Sequence, residues 1–126
     1  MMHLLLVAAG GGAGAVCRHL ISLAGLRLMG PSFPWGTLTV NVLGSLIMGL
    51  FIELLAQKLQ GSTELRLLIA TGFLGGFTTF SSFSLDVAVI WERGEMWLAV
   101  TYALVSVVLS IGALFGGLAL ARQVLA

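Results

Sequence analysis

Gly72-Phe73-Leu74-Gly75-Gly76-Phe77-Thr78-Thr79-Phe80-Ser81-Ser82-Phe83-Ser84 is the stretch on which the reading of the fold turns. It is uncharged and lies within a run of 19 uncharged residues between Arg66 and Asp86. Adjacent glycines and adjacent threonines weaken a helix interior. Five of the seven residues from 78 to 84 also carry a hydroxyl. In hydrocarbon, backbone groups freed from a helix are tolerated only where they are buried in protein or line a cavity. The stretch therefore predicts a membrane helix over 65–91, broken near residues 75–79, with carbonyls and half-helix ends available to ions. A kinked helix held by tight packing is the simpler alternative.

The rest of the chain has the composition such a helix requires. Of 126 residues, 59% are apolar and 9% are charged, and the mean hydropathy is +1.10. A soluble domain carries charge on about a quarter of its positions. Water-soluble globular domains, disordered tails and nucleic-acid-binding modules with a basic face are excluded. A single cysteine, Cys17, excludes a disulfide framework and a multi-thiolate metal site.

Charges punctuate the chain into spans. Between Arg27 and Glu53 lie 25 uncharged residues, and between Glu95 and Arg122 there are 26. About 20 apolar residues cross the hydrocarbon core, so four spans are expected near 3–24, 36–57, 65–91 and 96–121. They form one all-α transmembrane domain over 1–126. The N-terminal run lacks a basic leader and continues to Arg18, so it is expected to be retained as a helix rather than removed as a signal peptide. Trp91 and Trp97, beside the turn at 92–95, read as interfacial anchors, as does Trp35.

Orientation is poorly specified. Lys58, Arg66 and Arg122 fall on one side of a four-span topology, and Arg27 and Arg93 on the other. Three against two is almost no positive-inside bias. Either a few charges decide the matter, or the chain inserts both ways.

Small residues four apart (Gly10 and Gly14, Ser45 and Gly49, Gly72 and Gly76, Gly112 and Gly116) predict close helix contacts. Polar side chains recur at the same spacing. Thr37, Asn41 and Ser45 share one face of the second span, Tyr102, Ser106 and Ser110 one face of the fourth, and Gly14, Arg18 and Ser22 one face of the first. A serine or threonine can satisfy itself on its own i−4 carbonyl. The Asn41 amide cannot be satisfied so locally, and it predicts an interhelical or functional contact. The edges of Phe80 and Phe83 offer positive hydrogen to an anion, while carbonyls freed at the break would suit a cation.

The motif Gly75-Gly76-Phe77-Thr78-Thr79-Phe80-Ser81-Ser82-Phe83 resembles the signature of the Fluc (CrcB) fluoride channel family. So does Trp35-Gly36-Thr37-Leu38-Thr39-Val40-Asn41-Val42-Leu43-Gly44-Ser45, and Gly14 followed by Arg18 fits that family's first helix. The resemblance covers the whole chain. It implies an antiparallel, dual-topology homodimer in a bacterial cytoplasmic (inner) membrane, exporting fluoride passively through two pores. It places Phe80, Phe83, Asn41, Tyr102, Ser106 and Ser110 along the pore, with Thr39 and Thr79 as further pore hydroxyls. Arg18 is expected near an aqueous vestibule, attracting anions or anchoring its helix. Backbone carbonyls of Gly75 and Thr78 are expected to hold a structural sodium ion on the two-fold axis. Position 114, where the fourth-helix polar track would continue, is leucine. Asp86, His3 and His19 receive no role from the resemblance.

Three other readings fare worse on the residues. A small multidrug exporter needs a carboxylate in the first helix, and residues 3–24 contain none. An assembly subunit would not require a break followed by clustered hydroxyls. An intramembrane enzyme would need paired acids, metal-ligand spacing or a nucleophile with its base.

Overall fold

The computed structural model describes residues 1–125, and among these every regular element is helical. Four helices are long and apolar enough to cross a membrane: Met2–Met29, Trp35–Lys58, Thr63–Glu92 and Met96–Leu125. Each runs a little beyond the span read from the charges. Arg27, Lys58 and Arg122 lie inside the last turns of the first, second and fourth helices, where a cation meets the negative end of the helix dipole and a long side chain can carry its charge to the interface.

The apolar residues spread around each helix rather than gathering on one stripe, which is the pattern of a helix surrounded by lipid and protein together. Only a small set closes a core within the chain. Tyr102, Leu74 and Val40 are the largest fully buried side chains, while Leu4, Leu28, Leu104 and Phe115 stand exposed.

The first helix lies against the N-terminal half of the third span and against the second helix. The second helix packs along the fourth, and the C-terminal half of the third span also lies on the fourth. Glycine sets the closest approaches. A Cβ at Gly14 would fall 2.0 Å from the carbonyl oxygen of Phe73, so at this position the first helix meets backbone directly. On the other side of the bundle, a Cβ at Gly117 would fall 2.3 Å from the Leu46 carbonyl oxygen, and one at Gly49 would fall 2.2 Å from that of Leu114. Gly10, Gly14, Gly49, Gly72 and Gly76 thus sit at contacts within the chain. Gly112 and Gly116 have nothing within 4 Å, and Gly117 makes the close contact of that helix instead.

The third span changes character along its length. Ser62 accepts a hydrogen bond from the Leu65 N–H at 3.3 Å and starts it. From Arg66 to Leu74 the turns are widened to π geometry, and the Gly75 N–H reaches back five residues to Ala70. Such widening is uncommon and is found at functional sites. Within the stretch 75–79 where a break is expected, Gly75 itself stays helical (φ −63, ψ −37). The departure falls on the next residue type: Thr78 (φ −84, ψ 158) and Thr79 (φ −152, ψ 119) are extended, and helix resumes over Phe80–Glu92. β-Branched side chains prefer extended backbone, whereas glycine inside a packed helical turn is held by its neighbours.

Candidate functional site

Two extended residues in the third span leave backbone groups that must find new partners. The Thr79 N–H, which in a continuous helix would bond the Gly75 carbonyl, instead donates to Asn41 Oδ1 at 2.7 Å. Asn41 Nδ2 returns a hydrogen bond to the Thr79 carbonyl at 3.0 Å. One amide on the second helix therefore satisfies both polar groups of one residue in the third span. That is the interhelical contact its chemistry predicts, and it leaves Asn41 one further N–H to donate.

Arg18 performs a related task. Its Nε donates to the Gly76 carbonyl at 3.0 Å, a group that also loses its helical partner where the chain extends. Arg18 is half-buried and anchors the first helix to the third. It does not line the groove described below.

The resumed helix is capped by its own side chain. Thr79 Oγ1 accepts from the Ser82 N–H at 3.1 Å and lies 3.3 Å from Ser81 Oγ. Oxygen at this position is the usual N-cap, and the positive end of a 13-residue helix dipole emerges beside it.

These elements border a groove of about 350 Å³. The second helix gives it Asn41 and Ser45, the third span Thr78, Thr79, Phe80 and Phe83. The fourth helix closes it with Ser106 and Ser110, beside Val107 and Ile111. None of these lining residues carries a charge. The Phe80 and Phe83 rings are 5.5 Å apart and tilted by 52°; Phe83 is buried, while 76% of Phe80 is exposed.

The hydroxyls separate into two groups. Thr78 Oγ1 bonds its own i−4 carbonyl, Leu74, at 2.9 Å, and Ser84 Oγ does the same to Phe80 at 3.0 Å. Ser106 Oγ and Ser110 Oγ are buried without a partner. A buried hydroxyl left unpaired costs about 1–3 kcal/mol, and both of these residues border the groove.

Tyr102 lies behind this surface rather than on it. It is fully buried, with its ring 5.3 Å from Phe83, and its hydroxyl donates to Asp86 Oδ2 at 3.0 Å. The Asp86 contact was not legible in the sequence, because nothing in a 16-residue separation signals it. Thr39 is exposed and does not reach the groove: two residues from Asn41 on a helix, it faces away from it. Thr37, on the Asn41 face, borders a second groove of about 320 Å³ together with Asp86 and Arg93. Ser45, noted in the sequence only as part of a polar stripe, joins the first groove.

His3 and His19 are both exposed, away from either groove. Among the described residues no cluster of three His, Cys, Asp or Glu side chains could hold a metal ion. Gly75 is exposed and its carbonyl has lost the Thr79 donor.

Comparison with known proteins gives a consistent picture. The family model described as CrcB-like protein, Camphor Resistance (CrcB), matches residues 5–118. A protein of Chelativorans sp. described as "Fluoride-specific ion channel FluC" is 60% identical over 125 residues, covering 99% of this chain and all of the relative. Proteins of the same description from Mesorhizobium japonicum and Agrobacterium fabrum are 58% and 54% identical, each over 98% of both chains.

Proposed function

The chain belongs to the CrcB-like family, a non-enzymatic one, and from that premise we propose that it is a fluoride channel whose ion passes along the Asn41–Ser110 groove. The observation that carries this reading is that two unpartnered buried hydroxyls, Ser106 and Ser110, and the rings of Phe80 and Phe83 line one groove with no charged residue. Fluoride loses water reluctantly, and neutral hydroxyl donors with positive ring edges replace hydration without trapping the ion as a fixed cation would. The helix N-terminus at Phe80 adds a positive partial charge on the same side. With no carboxylate in that groove to couple a proton, flux follows the electrochemical gradient.

The working unit of this proposal is an antiparallel homodimer of oppositely inserted chains with two pores, in a bacterial inner membrane. A groove lined by hydroxyls cannot face lipid cheaply, and Phe80 projects out of the single chain, so a second copy is the natural cover. The three-to-two distribution of cations supports insertion in both orientations.

A sodium ion between the two chains completes the reading. Gly75 and Thr78 would each offer a neutral carbonyl from two chains. Four such oxygens match the preference of a hard monovalent cation, and the diversion of the Thr79 N–H to Asn41 frees one of them. The ion's task would be structural, tying the two interrupted spans together.

Liposomes loaded with potassium fluoride, given a potassium ionophore and compared with chloride-loaded liposomes, test the function. The proposal expects rapid fluoride loss with chloride retained. Retention of both anions by a folded dimer would reject it.

A further inference from the structure

The second groove, about 320 Å³, lies at the end of the bundle where residues 30–34 and the 92–95 turn meet. Residues 30–34 join two spans without regular structure. Within that segment the Phe33 ring stands edge-on to Tyr102, centroids 5.3 Å apart at 84°, and also touches the Trp35 ring at 4.6 Å. Tyr102 in turn holds Asp86, which lines the groove.

Among the described residues one side chain ties this segment across the rim of the groove. Arg93 Nη2 donates to the Ser32 carbonyl at 3.0 Å, and the same nitrogen pairs with Glu95 Oε2 at 2.6 Å. Glu95 holds the guanidinium, the guanidinium holds residue 32, and residue 33 carries the ring that covers Tyr102. A surface ion pair alone contributes little. Its value here is positional, because an irregular segment is fixed next to the Tyr102–Asp86 pair, of which Tyr102 is fully buried and Asp86 half-buried.

We propose that Arg93 is a positioning residue for ion passage: through Ser32 it keeps Phe33 seated on Tyr102, whose ring also packs 5.3 Å from that of Phe83, and so it fixes the wall that Phe83 gives the first groove. This inference rests on the channel reading, and adds to it that the 30–34 segment and the 92–95 turn act as one clamped rim.

The test is a double-mutant cycle in liposomes, with fluoride efflux as the readout. Arg93→Met keeps the stem and removes the donors; Phe33→Leu removes the ring. Each is expected to slow efflux several-fold while fluoride is still preferred over chloride. The double variant is expected to be no slower than the worse single one, because both changes break one linkage. Arg93→Lys, which keeps a donor and the charge, is expected to recover much of the rate. Losses that multiply in the double variant, or Arg93→Met efflux equal to wild type, would overturn the proposal. So would a loss in Arg93→Met that disappears at high ionic strength, since that marks a long-range charge effect rather than a tether. If Arg93→Met does not assemble, the comparison of Phe33→Leu with Phe33→Leu/Arg93→Lys decides: independent, multiplying losses count against the clamp. Failure of the channel reading looks different, since the wild-type protein itself would then release no fluoride.

Discussion

Asn41 and Thr79, 38 residues apart, exchange two hydrogen bonds: the amide oxygen takes the Thr79 N–H at 2.7 Å and the amide nitrogen gives to the Thr79 carbonyl at 3.0 Å. A side-chain amide here substitutes for two missing backbone hydrogen bonds of the helix. The interruption at 78–79 is therefore not a weak point, and its geometry depends on a residue of a different span.

Asn41→Leu should be the most damaging single change of a polar residue in the chain. It leaves the Thr79 N–H and carbonyl unpaired, at a cost of about 1–3 kcal/mol for each group. Thermal unfolding in detergent should shift down measurably, and fluoride efflux should be lost along with it. Asn41→Asp keeps the acceptor and removes the donor, so its unfolding temperature should fall between the two.

Arg18→Met should cost about 1.5–3 kcal/mol, the range for a hydrogen bond from a charged donor, because it removes the Nε bond to the Gly76 carbonyl. Arg18→Lys should not restore stability, since the ammonium lies beyond the position of Nε. Unfolding temperatures of the three proteins check this. Equal stability of wild type and Arg18→Met would show that the bond is dispensable.

Gly14→Ala should disrupt the fold, because its methyl group would meet backbone at Phe73 with no side chain able to move aside. Gly112→Ala should leave the chain's thermal unfolding unchanged or raise it slightly, since nothing lies within 4 Å and alanine favours a helix interior over glycine. The pair of measurements separates glycines that the chain itself requires from those on its outer surface.

How much of this was legible beforehand differs by element. Four spans follow from the gaps between charges, and helix ends ran past the estimates because Arg27 and Arg122 are accommodated in final turns. The hydroxyl-rich stretch pointed to the right segment of the third span. It did not distinguish glycine from threonine as the residues that leave the helix, because both weaken it locally while the groups freed at Thr79 are satisfied by Asn41 across the bundle. Of the face drawn by i, i+4 spacing, Asn41 and Ser45 border the first groove and Thr37 the second, while Thr39, for which the resemblance implies a pore hydroxyl, reaches neither. Spacing puts Tyr102 on one face with Ser106 and Ser110, and the resemblance implies a place along the pore for all three. The burial of Tyr102 under Phe33 and Phe83, and its bond to Asp86, depend on packing between elements that one sequence does not order.

Replacing sodium by a large organic cation on both sides of the membrane should impair fluoride efflux and weaken the dimer. Imposing a sodium gradient should move no additional fluoride. Accumulation of fluoride against its gradient when sodium flows inward would show coupled transport and reject a purely structural ion.

The most direct test of the central claim compares fluoride efflux from liposomes carrying wild type, Phe80→Ile and Phe83→Ile, each shown beforehand to be a folded assembly. Isoleucine keeps apolar bulk and removes the ring edge. If the groove between Asn41 and Ser110 is the fluoride route, both variants lose most or all of their throughput while the dimer remains intact. Wild-type rates in both well-folded variants would contradict the account.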